Sequence, residues 1–184
     1  MEISLPAETT GIADRARWVL THHGSEWKEF KCRVITDFVR QVTTWLRAVR
    51  GDDLVLGLYV PPLPADWLES WAGQRLSELT SLVDVISPMA YHAILHRSPE
   101  WVGEVIADWS THVSHPLLPI VQVDSQEGRE AGADWGPPIP LEEWERVVSL
   151  VSESSDVLGL VAFTGTALPG KGRGEGLQRS LQSP

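Results

Sequence analysis

VDVISPMAYH, residues 83–92, opens on a short apolar run and ends on a tyrosine and a histidine. Only Asp84 interrupts the apolar character between Val83 and Ser87, so the run reads as a strand covered on both faces, as in a parallel sheet. Three further runs share that character: Leu54 to Val60, Leu117 to Val123 and Leu158 to Phe163. Helical patterns separate them. Gln74 to Leu82 predicts a short helix; Ser98-Pro99-Glu100-Trp101 starts another with a cap and a first-turn proline, running to about His112; Leu141 to Val151 forms a third, with Glu142 and Glu143 in its first turn. Upstream, Phe30, Val34, Ile35, Phe38, Val39, Val42, Trp45, Leu46 and Val49 recur at three- and four-residue spacings, which predicts a long amphipathic helix from Ser25 to Arg50 with Ser25 as its N-cap and Gly51 just past its end. The order is helix, then strand and helix three times, then a strand, and right-handed crossovers turn such alternation into a parallel α/β sheet.

Composition narrows the function. Fifteen Lys and Arg against 25 Asp and Glu leave a net charge of −10, spread along the chain. A nucleic-acid partner is not expected, because that binding neutralises phosphates with a basic face. The single cysteine, Cys32, excludes an internal disulfide and a Cys-based zinc cluster, and its helical position suits a small buried hydrophobe. No GxGxxG or GxxxxGK[ST] loop follows a strand, so nucleotide binding by either device has no support and no cofactor is expected. The first residues have neither the basic start nor the apolar run of a signal peptide. No stretch approaches the ~20 apolar residues of a membrane span, so no membrane partner is expected either. After Thr166 the sequence turns to LPGKGRGEGLQRSLQSP, too poor in apolar surface to order itself; residues 169–184 are expected to be a disordered tail. Nine tryptophans against two tyrosines and three phenylalanines are an unusual excess, suited to stacking on sugar rings or to packing.

The Met89-Ala90-Tyr91-His92 ending of the quoted strand resembles the inner-strand motif of chitinase-like glycoside hydrolases, with His92 where those enzymes usually carry an acid. EWKEFKCRVITDFVRQV is similar to the helix before the fifth barrel strand of such proteins, LVLGLYVPP to that strand, LLPIVQVD to the seventh and DVLGLVAFTGTAL to the eighth. The likeness covers roughly residues 8–168. It implies an α/β fold, a partial (β/α)8 TIM barrel with about four parallel strands alternating with helices, the C-terminal half of the barrel. A whole barrel takes about 250 residues, and the 184 here suit one domain over 1–168. The resemblance further implies a carbohydrate substrate and places the general acid on a strand ahead of Met1, so that hydrolysis is expected only with an upstream half. The open strand edges of a half barrel predict self-association.

Sites in parallel α/β folds form at the C-terminal ends of strands, which nominates Tyr59, Tyr91 with His92, Gln122 with Asp124, and Thr164. Tyr91 could hydrogen-bond a developing charge, the role the resemblance implies, or pack at the barrel mouth. Asp124 could act as a base or stabilise an oxocarbenium-like centre, or be a solvated loop carboxylate. Gln122 is polar within an apolar strand, so its amide must bond either substrate hydroxyls or neighbouring backbone. Tyr59, His92, Gln122 and Thr164 are the candidate substrate contacts, with Trp67. His92 and His96, four apart, lack an evident third ligand, and no metal site is expected. Asp84, at its strand's entry, reads as structural. Trp101, Trp109 and Trp144 sit in helical patterns and read as packing; Trp67, Trp71 and Trp135 sit in loop-like stretches and are the candidates for a sugar platform. Two readings compete with the half enzyme: a noncatalytic carbohydrate-binding barrel, and a self-sufficient α/β domain of unrelated function. A polysaccharide deacetylase would need an Asp and His cluster that the sequence does not show.

Overall fold

The computed structural model describes residues 3–125 and 134–163, with Gly174. Thr164 and residues 169–184, Gly174 apart, lie outside them. The chain divides into two compact units: Met1–Leu54 with Ala65–Leu82, and Val55–Pro64 with Val83–Pro184.

The second unit holds the sheet. Strands β1 (Gly57–Val60), β2 (Val85–Ala90), β3 (Ile120–Gln122) and β4 (Val161–Phe163) lie side by side in chain order, and every pairing is parallel. This is the expected partial α/β barrel topology. The lower half of β2 pairs with β1, Gly57 opposite Val85 and Val60 opposite Pro88, while Met89 and Ala90 pair with Ile120 and Val121 of β3. β1, β3 and β4 are shorter than their apolar runs, whereas β2 runs past its own to Ala90. Leu117 already bridges to both Ile86 and Val157, but Pro119 has no N–H to continue the ladder, and β3 proper starts one residue later. Helices α5 (Glu100–Ser110) and α6 (Leu141–Ser152) follow β2 and β3 and pack on each other. Gly103 makes that approach close: a Cβ there would stand 3.3 Å from a Leu150 methyl. Trp109 and Trp144 are completely buried, as their helical spacing predicts, and the Trp109 Nε1–H donates to the Leu63 carbonyl at 3.2 Å. Asp84 is structural too, its carboxylate accepting the Leu56 N–H at 2.8 Å where β1 and β2 begin.

The first unit is helical. Helix α1 (Ile12–His22), not anticipated from the sequence, buries no residue and borders an apolar groove of about 370 Å³ shared with Trp27 of α2 (Gly24–Arg50). Helix α2 has the expected length, with Gly51 at φ 90° closing it, although no side chain caps its start in the way expected of Ser25. Its buried face carries Cys32, Thr36 and Thr43. Burial raises the Cys32 thiol pKa, which agrees with a packing role. A short helix α3 (Ala65–Trp67) runs into a π-helical turn (Leu68–Ala72), and α4 (Leu76–Leu79) is the remnant of the helix expected over Gln74 to Leu82. Trp67 and Trp71 therefore stand on a helical turn, where loop had been expected.

Candidate functional site

The C-terminal ends of β2, β3 and β4 bring together two connections, the β2 loop from Tyr91 to Arg97 and the described parts of the β3 loop around Asp124 and Trp135. Gln122, fully buried at the end of β3, joins them. Its Oε1 accepts the Ile94 N–H at 3.0 Å, and its Nε2 donates to the carbonyls of Trp135 at 2.9 Å and Asp124 at 3.3 Å. Both donors of the amide and one acceptor position of its oxygen are thus engaged by backbone, and the side chain ties the two loops together.

The other polar residues of the strand ends are engaged in the same way. Asp124 Oδ1 accepts the N–H of Ser125 at 2.9 Å and that of Ile139 at 3.4 Å, drawing the two ends of its loop together. Asp134 accepts the Gly136 N–H at 2.9 Å and pairs with His96 Nε2 at 3.0 Å; these two contacts, the backbone one foremost, hold its pKa below the ordinary carboxylate range. Gly136 has φ 74°, and a Cβ there would meet the Ala93 carbonyl oxygen at 2.1 Å, so only glycine permits the β3 loop to lie this closely on the β2 loop.

His92 is completely buried, and its Nε2 stands 2.9 Å from Glu143 Oε1 in the first turn of α6. Burial lowers its pKa against the opposing pull of Glu143. The neutral ring donates through Nε2 and leaves Nδ1 without a partner. A side chain so enclosed is a strut between the β2 loop and α6. His92 and His96 thus bond different carboxylates, and among the described residues no group of three or more His, Cys, Asp or Glu is arranged to hold a metal ion.

Beside these polar contacts lies an aromatic cluster. Tyr91 is half-buried and stacks on Phe163 at the end of β4, ring centroids 4.9 Å apart and planes 23° from parallel; Trp135 also stacks on Phe163, with centroids 6.0 Å apart and planes at 25°. Burial, and secondarily the nearby Tyr59, raise the Tyr91 pKa, so its hydroxyl is a neutral donor at ordinary pH. No described residue bonds that hydroxyl. Tyr59, near the end of β1, is 63% exposed. Of the sequence candidates, the structure therefore brings Tyr91, Tyr59 and Trp135 to the strand ends with Asp124. It places Trp67 in the other unit and leaves Thr164 outside the described residues. Phe163 was missed; its one signal was position, the last apolar residue of a predicted strand.

No family model matches the chain, and no curated protein matches it by sequence. Among solved structures it is similar to the PgaB (BpsB) glycoside hydrolase domain from Bordetella bronchiseptica, with a TM-score of 0.67 and 16% identity. The match covers 91% of this chain and 48% of that one, so the chain spans about half the length of that domain. At this identity the likeness is one of fold: parallel strands alternating with helices in a part of a barrel. No helix among the described residues is long and apolar enough to cross a membrane.

Proposed function

We propose that the strand ends of the second unit bind a saccharide, in a barrel half of the glycoside-hydrolase type that holds a sugar without hydrolysing it alone. The observation that carries this reading is the Tyr91, Phe163 and Trp135 cluster: partly exposed rings stacked about Phe163, with a tyrosine hydroxyl that no described residue engages. Pyranose rings bind on such surfaces through axial C–H groups laid on aromatic faces and hydroxyls bonded at the edge. The fold, shared with a glycoside hydrolase domain, is compatible with that use.

Hydrolysis needs a carboxylic acid that arrives protonated beside the glycosidic oxygen. The loop carboxylates Asp124 and Asp134, and Glu143 at the start of α6, all accept hydrogen bonds from other groups of the chain. In this reading Asp124 and Tyr91 are supporting groups that orient the sugar and stabilise charge, and the proton donor comes from outside the described residues. The test is calorimetric titration of the chain with β-1,4-linked N-acetylglucosamine and glucose hexamers, followed by product analysis. Binding that weakens about tenfold in Tyr91→Ala, with no cleavage, is expected from the loss of one stacked ring and its hydroxyl. Absence of binding to every saccharide tried, or cleavage by the chain alone, would overturn the proposal.

A further inference from the structure

We infer that Trp67 and Trp71 form a second saccharide platform, on the first unit; the inference rests on the carbohydrate reading above and extends it to a surface outside the strand ends. The two indoles stack with centroids 5.8 Å apart and planes within 10° of parallel, yet Trp67 is 51% and Trp71 72% exposed. Hydrophobic burial does not account for this arrangement, since the larger part of Trp71 remains in water.

The backbone beneath the rings is fixed with unusual thoroughness. The π-helical turn ends at Gly73, whose φ of 66° and close approach to Lys31 exclude any side chain: a Cβ would stand 2.7 Å from the Lys31 Cβ. Lys31 Nζ donates to the carbonyls of Ser70 at 2.5 Å and Trp71 at 3.2 Å, two acceptors that the end of the turn would otherwise leave open. Leu68 anchors the turn from below, with no exposed surface. Single-turn π elements concentrate at functional sites because they turn a side chain to a position a regular helix does not reach. Here the side chain so positioned is Trp71, exposed and stacked on Trp67 above a hydrogen-bonded backbone, an arrangement that lowers the ordering cost of binding.

Size and surroundings select the ligand class. The exposed parts of the two rings amount to on the order of 300 Å², well below the ~800 Å² a side of a stable protein interface and close to the face of one or two pyranose rings. Asp66, exposed and next to Trp67, supplies an acceptor for equatorial hydroxyls at the platform's edge. The fitting ligand is a β-linked glucan or N-acetylglucosamine polymer, whose rings present flat faces of axial C–H.

Fluorine NMR of the full chain labelled with 5-fluorotryptophan tests this, because the nine tryptophans report both surfaces at once. Trp67→Phe, Trp71→Phe and Trp135→Phe assign the three signals. Addition of the β-1,4-linked N-acetylglucosamine hexamer or glucose hexamer is expected to shift the Trp67 and Trp71 signals, and Trp71→Ala, checked for an unchanged circular dichroism melt, to weaken that response about tenfold. Movement of Trp135 alone would overturn the platform while leaving the strand-end reading intact. Silence at all three would overturn both. Movement of Trp67 and Trp71 with protein concentration, and not with saccharide, would overturn the platform and assign the pair to contact between copies of the chain.

Discussion

Gln122 shows how far single residues could be read from the sequence. Its polarity within an apolar strand announced a buried amide in need of partners. The partners themselves, Ile94 and Trp135, lie 28 and 13 residues away and became visible only once the two loops were side by side. Gln122→Leu leaves an N–H and two carbonyls unpaired in the interior and is expected to destabilise the second unit by about 2–4 kcal/mol in urea unfolding. A loss below the error of the measurement would show that the loops are held by other means. His92 makes a pH-dependent prediction. Its folded-state pKa lies below the unfolded value of about 6.5, so below that pH the unfolded chain takes up a proton that the folded chain refuses. Stability is therefore full above about pH 6.5 and declines as pH falls from there toward the lowered folded pKa. Thermal melts from pH 7.5 to 5 should show this decline, and His92→Gln should flatten it; an unchanged slope in the variant would assign the effect to other groups.

At the scale of elements, the strands were legible because burial on both faces leaves a continuous apolar run, and their order followed from the alternation with helices. What was not legible depends on contacts distant in sequence. The turn bearing Trp67 and Trp71 is shaped by Lys31, some 40 residues earlier, and local propensity contains no trace of it. Helix α1 carries a short apolar stripe, Ile12, Ala16, Val19 and Leu20, but the stripe lines an open groove and buries no residue. Trp109 and Trp144 were read correctly for the opposite reason, since spacing fixes which face of α5 and α6 meets the core, whereas Trp101 stays partly exposed. Trp144→Ala is accordingly expected to cost about 3–5 kcal/mol by opening a cavity between α6 and its neighbours, measurable by chemical unfolding. Gly136→Ala is expected to cost at least about 2 kcal/mol, from the clash with the Ala93 carbonyl and the left-handed backbone.

For the whole molecule, the four-stranded order leaves β1 and β4 each with a strand neighbour on one side only among the described residues. Unpaired edges of this kind recruit further strands, and the chain is proposed to self-associate as its concentration rises. Light scattering across a concentration series checks this; a cooperative monomer throughout would point instead to a self-sufficient domain. The acidic charge of the chain and its partly exposed ring cluster agree with an uncharged, ring-shaped ligand better than with a polyanion. The decisive measurement is calorimetric titration of the intact chain with the β-1,4-linked N-acetylglucosamine and glucose hexamers, beside its Tyr91→Ala variant at matched stability. Saturable binding that the substitution weakens about tenfold is the result predicted by a saccharide site at the strand ends; identical titrations for the two proteins, or none, would contradict it.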